Sequence, residues 1–219
     1  MSYASQSIIT PLACARLAHT PATLCEQLNI ARRLIGHHAR VGLVHQATHL
    51  PWGVVAGLYR ELHGTPPPRG QMRHSCGRLV SNRRGQMVSS AFAVRFLALA
   101  GPRPRAVSAD HWLQAYEEWR ALTVPRFHAM LTVNDAWRIA EDLRLGAWYG
   151  PDAASAAVMY DCEDCGRPYL VSAESRLTRD CPYCHVLAQS YAWRPGARRT
   201  KRQAAAADHA HESPMLAAR

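Results

Sequence analysis

With 219 residues, 48% of them hydrophobic, the chain has room for one domain with an appendage or for two small domains. No apolar run approaches the roughly 20 residues of a membrane span, and no basic stretch precedes the apolar part of the N-terminus, so neither a transmembrane helix nor a secretory signal is expected. The net charge is +10 and is concentrated: residues 27–109 hold twelve arginines against one acid, Glu61, which suggests a polyanionic partner such as nucleic acid, the plainer alternative being a solvated arginine-rich surface.

Taken in chain order, residues 1–20 read as an N-terminal extension, 21–150 as a helical domain, 151–193 as a zinc-binding module and 194–219 as a basic tail. The tail is rich in Ala, Arg and His and poor in apolar bulk, so it is expected to be disordered. The first amphipathic helix spans 22–36, with Leu24, Leu28, Ala31 and Leu34 at helical spacing and Gly36 as its stop. Cys25 lies in that apolar pattern and is expected to be a buried free thiol.

Residues 40–63 read as two short helices around a turn at Thr48-His49-Leu50, with Pro51 suited to the start of the second. Val54, Val55, Leu58 and Leu62 are expected to face inwards, and Trp52, Gly53, Ala56 and Arg60 outwards. In a DNA-binding helix-turn-helix the outer face of the second helix reads bases. There Ala56 would permit close approach and Arg60 would reach guanine or phosphate. Any helical hairpin in a bundle gives the same pattern. Residues 64–85 follow as an arginine-rich loop broken by glycines and prolines, and Arg69, Arg73, Arg78, Arg83 and Arg84 are its candidate DNA contacts.

Three further helices are predicted at 86–99, 109–122 and 133–145. Ser108 and Thr132 serve as N-caps of the last two, Asp135 completes a capping box, and Gly146 is the final stop. Their aromatics, including Trp112, Trp119 and Trp137, are read as core. A short helix is predicted from Pro151 to about Val158. Only 167–173 reads as extended. The expected fold is therefore mainly α, with a helix-turn-helix-like hairpin and a small C-terminal four-cysteine zinc-binding β-hairpin.

Cys162 and Cys165 form one C-x-x-C, and Cys181 and Cys184 a second, with fifteen residues between them. This is the spacing of a four-thiolate zinc site: two knuckles, joined by a segment long enough for a hairpin, aim at one ion. Four thiolates leave no open position, so one structural zinc per chain is expected. An iron–sulfur centre or labile thiols are the competing chemistries. An odd cysteine count beside such a site fits a reducing cytosol. An enzyme is not expected. Asp110-His111 and Glu117-Glu118 set no nucleophile beside a base, and no phosphate loop, H-E-x-x-H or nucleophile elbow occurs.

The run from Leu58 through Tyr59, Glu61, Leu62 and Gly64 to Pro66-Pro67-Pro68-Arg69-Gly70 resembles a segment of the flagellar transcriptional activator FlhC family, where L-Y-x-E-L-x-G leads into S-P-P-P-K-G. Leu131 to Leu145, containing Ala136-Trp137, and then the paired C-x-x-C motifs follow in the family's order. The resemblance covers roughly residues 22–200. It implies a subunit that works with FlhD in a heterohexameric complex, binds double-stranded promoter DNA and activates RNA polymerase in the cytoplasm. The same resemblance assigns the zinc ligands to Cys162, Cys165, Cys181 and Cys184. The stretch after Gly70 departs from it, with arginines where the family is expected to carry more aromatics. The alternative function is a zinc-stabilised protein-interaction module that does not read DNA.

Overall fold

The protein is described by a computed structural model covering residues 21–192 apart from 69, 152, 154, 178 and 179. The expected N-terminal extension, Arg69 and the expected tail lie outside the described residues. Helix α1 (Pro21–Gly36) buries Ala31, Leu34 and Ile35, but its first turns stay in solvent. Cys25 is exposed on those turns, contrary to expectation, because the packed part of α1 begins only near Leu28.

Helices α2 (Val41–Thr48) and α3 (Trp52–His63) form the expected hairpin. Thr48 Oγ1 donates to the Val44 carbonyl at 2.7 Å, and His49 ends α2 in the left-handed region with φ 58°. Pro51 caps the start of α3. The buried side of α3 is Val55, Ala56, Leu58 and Tyr59, while Val54 and Leu62 are 43% and 46% exposed. Ala56 therefore faces the core, not solvent. The helix packs on both α1 and α2, and Tyr59 draws the buried arc round by about one position.

Helix α4 (Arg83–Ala100) starts a turn before the expected boundary, because Asn82 accepts the Gly85 N–H at 2.8 Å and nucleates it. Arg83 and Arg84 thus open a helix and do not sit in the loop. Helix α5 (Ala109–Leu122) follows as predicted, and a 3-10 turn at Pro125–Met130, not read from the sequence, leads to α6 (Val133–Tyr149). Thr132 and Asp135 form the expected capping box. Gly146 does not stop α6, which runs on to Tyr149 and is capped by Gly150. Its lack of a side chain serves a contact: a Cβ there would collide with the Ala157 carbonyl oxygen.

No helix occupies the described part of 151–158. Strand β1 (Ala157–Asp161) pairs antiparallel with β2 (Pro168–Ser172), from Ala157 opposite Ser172 to Asp161 opposite Pro168. Val158, Met159 and Tyr160 suit a pleated, half-buried surface, and packing against α6 selects the strand. Helix α7 (Pro182–Ala192), also unread from the sequence, packs on α4.

The aromatics are core, as read. Trp112, Trp119, Tyr116, Phe92 and Phe96 are fully buried, and Trp112 meets Trp137 edge-on with centroids 5.1 Å apart. Asp142 of α6 is also fully buried. It accepts the Cys76 N–H at 2.6 Å and bonds from Arg138 at 2.9 and 2.7 Å, tying the arginine-rich loop to α6. Burial pushes the Asp142 carboxyl up, against the Cys76 N–H and the Arg138 charge. Burial also pushes the Cys76 thiol up, leaving it protonated and inert.

Helix α1 is clamped to α5 by Arg33, which holds both Glu117 oxygens, with His37 Nε2 3.3 Å from Oε1. Burial raises the Glu117 carboxyl, but Arg33's hydrogen bonds and charge, with His37, outweigh it and leave the group below its ordinary 4.5. A depressed carboxylate stabilises the fold above its unfolded value and loses that contribution as pH falls through the folded one. Thermal unfolding followed by circular dichroism is expected to show an acid-side loss of stability below about pH 4.5 that shrinks in Glu117→Gln. An unchanged pH profile in the variant would remove the clamp from the account.

Candidate metal centre and basic surface

The first cysteine pair is the turn of the β-hairpin itself. Cys162 N–H donates to the Arg167 carbonyl at 3.1 Å, and Gly166 N–H returns to the Cys162 carbonyl at 2.8 Å. Gly166 has φ 66°, which a side chain would strain. The hairpin was expected between the two knuckles; instead its strands flank the first one, because C-x-x-C-G supplies the tight turn. The second pair opens α7, with Pro182 in the first turn and His185 N–H on the Cys181 carbonyl at 3.2 Å. A helix N-terminus favours negative charge, so it suits thiolates.

All four sulfur atoms lie within 4.8 Å of one another. Cys162 Sγ is 3.8 Å from Cys184 Sγ, and Cys165 Sγ is 3.7 Å from Cys181 Sγ. A tetrahedral zinc with bonds of about 2.3 Å sets its sulfurs about 3.8 Å apart. The four cysteines are thus positioned to hold one metal ion, and their donor set and spacing are compatible with zinc. Backbone N–H groups, first that of Cys165, lower the Cys162 thiol to about 7, whereas hydrogen bonding to its thiol neighbours, first Cys165, pushes Cys184 up to about 12. A divalent cation removes the mutual repulsion that opposes further ionisation.

The module is seated by residues that sequence reasoning missed. Gln86 Nε2 donates to the Leu170 carbonyl at 3.0 Å, and Leu170 N–H donates to Ser90 Oγ at 2.9 Å. Ser90 Oγ donates to the Gln86 carbonyl at 2.6 Å. Arg83 reaches the Asp180 carbonyl at 2.7 Å and its carboxylate at 3.1 Å. Ser175 Oγ donates to the Val80 carbonyl at 3.0 Å. The signal in the sequence was a pair of polar residues, Gln86 and Ser90, four apart on the apolar face of α4.

The candidate DNA contacts do not share one environment. On α3, Trp52 is 56% exposed and meets His45 edge-on, and Arg60 is exposed with no ion pair to a described residue. Gly53 borders open space, the outward place expected of it, and Gly57 borders open space where Ala56 was expected to. In the loop, Arg73 is held by Asp135 at 3.2 Å, while Arg78 is exposed. Arg84 is exposed in the first turn of α4, and Arg83 is held by Asp180.

These features define a class: a helical protein with a helix-turn-helix-like hairpin and a small module whose four cysteines can hold a metal. Within it, the chain belongs to the FlhC family, whose model, described as flagellar transcriptional activator (FlhC), matches residues 22–197. This is a family of transcription factors and not of enzymes. A search of curated proteins returned no match. Among the described residues, no helix is long and apolar enough to cross a membrane.

Elemental analysis of the purified chain is expected to find one metal ion per chain. Cys162→Ser and Cys181→Ser should each lose it and raise hydrogen exchange through 157–172, while α2 and α3 stay protected. Full metal retention in either variant would contradict coordination by all four thiolates.

Proposed function

We propose that this chain is a DNA-binding transcriptional activator subunit, acting in the cytoplasm with FlhD in a heterohexameric complex at flagellar promoters, possessing one structural zinc. The observation that carries the reading is the block of arginines on α3, the following loop and the start of α4, in a chain of a transcription-activator family. Zinc bound by four thiolates supplies no catalysis; it fixes the hairpin and α7 as one rigid unit. The complex recruits RNA polymerase after the DNA is engaged.

In this reading the outer face of α3 enters the major groove. Trp52 and Arg60 approach base edges, and Gly53 and Gly57 let the backbone come close. Arg69, Arg78 and Arg84 contact phosphates, whereas Arg73 is already taken up by Asp135. Arg83 is withdrawn from that set, since Asp180 holds it in the seat of the metal module. The protein-interaction alternative draws on apolar side chains left in solvent, among them Leu122 and Trp148, which are 65% and 52% exposed.

Binding to promoter DNA with FlhD present is expected to fall steeply with salt, because each neutralised phosphate releases counterions. Arg84→Ala should weaken binding to all sequences and flatten the log–log slope by about 0.9. Arg60→Ala should instead reduce discrimination between promoter and random DNA, by about 1–3 kcal/mol. Equal losses on both DNAs for Arg60→Ala would reduce α3 to a backbone contact. Salt-insensitive binding, or none, would favour the protein-interaction reading.

A further inference from the structure

One stripe of α4 lies open to solvent. Ala91, Val94 and Ala98 recur on it at helical spacing, and two hollows meet at Val94. One, of about 350 Å3, is walled by Leu122 of α5 and Arg167 beside the first knuckle. The second, of about 460 Å3, continues between α4 and Ala147 of α6, with Met159 of β1 at its side. From Ala91 to Ala98 along α4 the trough runs about 10 Å, at 1.5 Å per residue, or two turns of helix, and Pro102 closes it beyond the helix end. Its alanine floor lets a helix backbone come close.

We propose that this trough docks an amphipathic helix with acidic flanks, supplied by another protein. The charge of the rim selects the occupant. Among the described residues no acid lines either hollow, and Arg95 and Arg167, the latter stacked over the Tyr183 ring, line the first without an ion pair to any described residue. The next residue after Pro102, at the far end, is the exposed Arg103. The chain's own segments do not match this rim. Residues 193–219 carry six basic residues against two acids, and residues 1–20 carry no acid. A second copy docking by the same face would set arginine against arginine. A helix with an apolar stripe between glutamates or aspartates satisfies both floor and rim.

The test uses the full-length chain and two designed helical peptides of about four turns, each with a leucine stripe, one flanked by glutamates and its twin by lysines. Fluorescence anisotropy is expected to show the glutamate peptide binding at least ten-fold more tightly, with hydrogen-exchange protection gained along 91–98. Val94→Glu, at a site already 37% exposed, should weaken that peptide at least ten-fold. Arg95→Ala, on the solvent side of α4, should narrow the gap between the peptides several-fold, with metal content and circular dichroism unchanged. Failure of the glutamate peptide to bind, equal binding of the two peptides, or binding that Val94→Glu leaves intact would each overturn the proposal.

Discussion

A two-stranded hairpin is marginal in water, since both of its outer edges lack a partner and its face lacks a core. Here the missing partner is a helix. Leu170 turns its N–H and its carbonyl towards α4, where Ser90 and Gln86 complete them at 2.9 and 3.0 Å. Leu170 itself is fully buried in the helical core. That joint fixes where β2 lies, hence where β1 meets Gly146 of α6, and hence where the Cys162–Gly166 turn points. The second knuckle is aligned from the same helix, because Arg83 grips Asp180 just ahead of Cys181. Both halves of the metal centre are therefore positioned by the first two turns of α4.

The placement of charge follows from the same economy of contacts. Positive side chains in the first turn of a helix oppose its dipole. At Arg83 the Asp180 carboxylate offsets that cost; Arg84 has no ion pair to a described residue. Across the basic block, Arg33 and Arg73 are engaged by Glu117 and Asp135. The acids of the later segment thus neutralise the arginines needed for folding, and leave Arg60, Arg78 and Arg84 in solvent for the role proposed here.

Helices with strong local signals were legible in the sequence. Thr132 with Asp135 marked the start of α6, and the aromatic spacing marked α5. The four ligands were legible because their chemistry is carried by spacing alone. What escaped was decided by tertiary contact. Gly146 looks like a stop signal in one dimension and is a point of close approach in three. Ala157 and Val158, read as the end of a helix from Pro151, instead open β1, where packing against α6 and pairing with β2 override the local helical pattern. The phase of α3 was misjudged by about one position because two neighbours pull its buried arc towards Tyr59, which moved Ala56 inside. Gln86 and Ser90 were passed over because a polar residue on an apolar face shows its purpose only when its partner, 84 and 80 residues further on, is known.

That separation bears on synthesis. Ribosomes add about 5–20 residues per second, so the 80 residues between Ser90 and Leu170 take about 4–16 seconds to emerge. Helical turns form in microseconds or less, so α4 is long finished before its strand exists. For those seconds its polar seat and the surrounding apolar face await a strand from the nascent chain. The helical half is a template that precedes what it shapes, and an ion held by all four thiolates can be enclosed only after both knuckles have emerged. Vulnerability to aggregation is thereby confined to an interval of elongation, the time when a nascent chain is most open to chaperones.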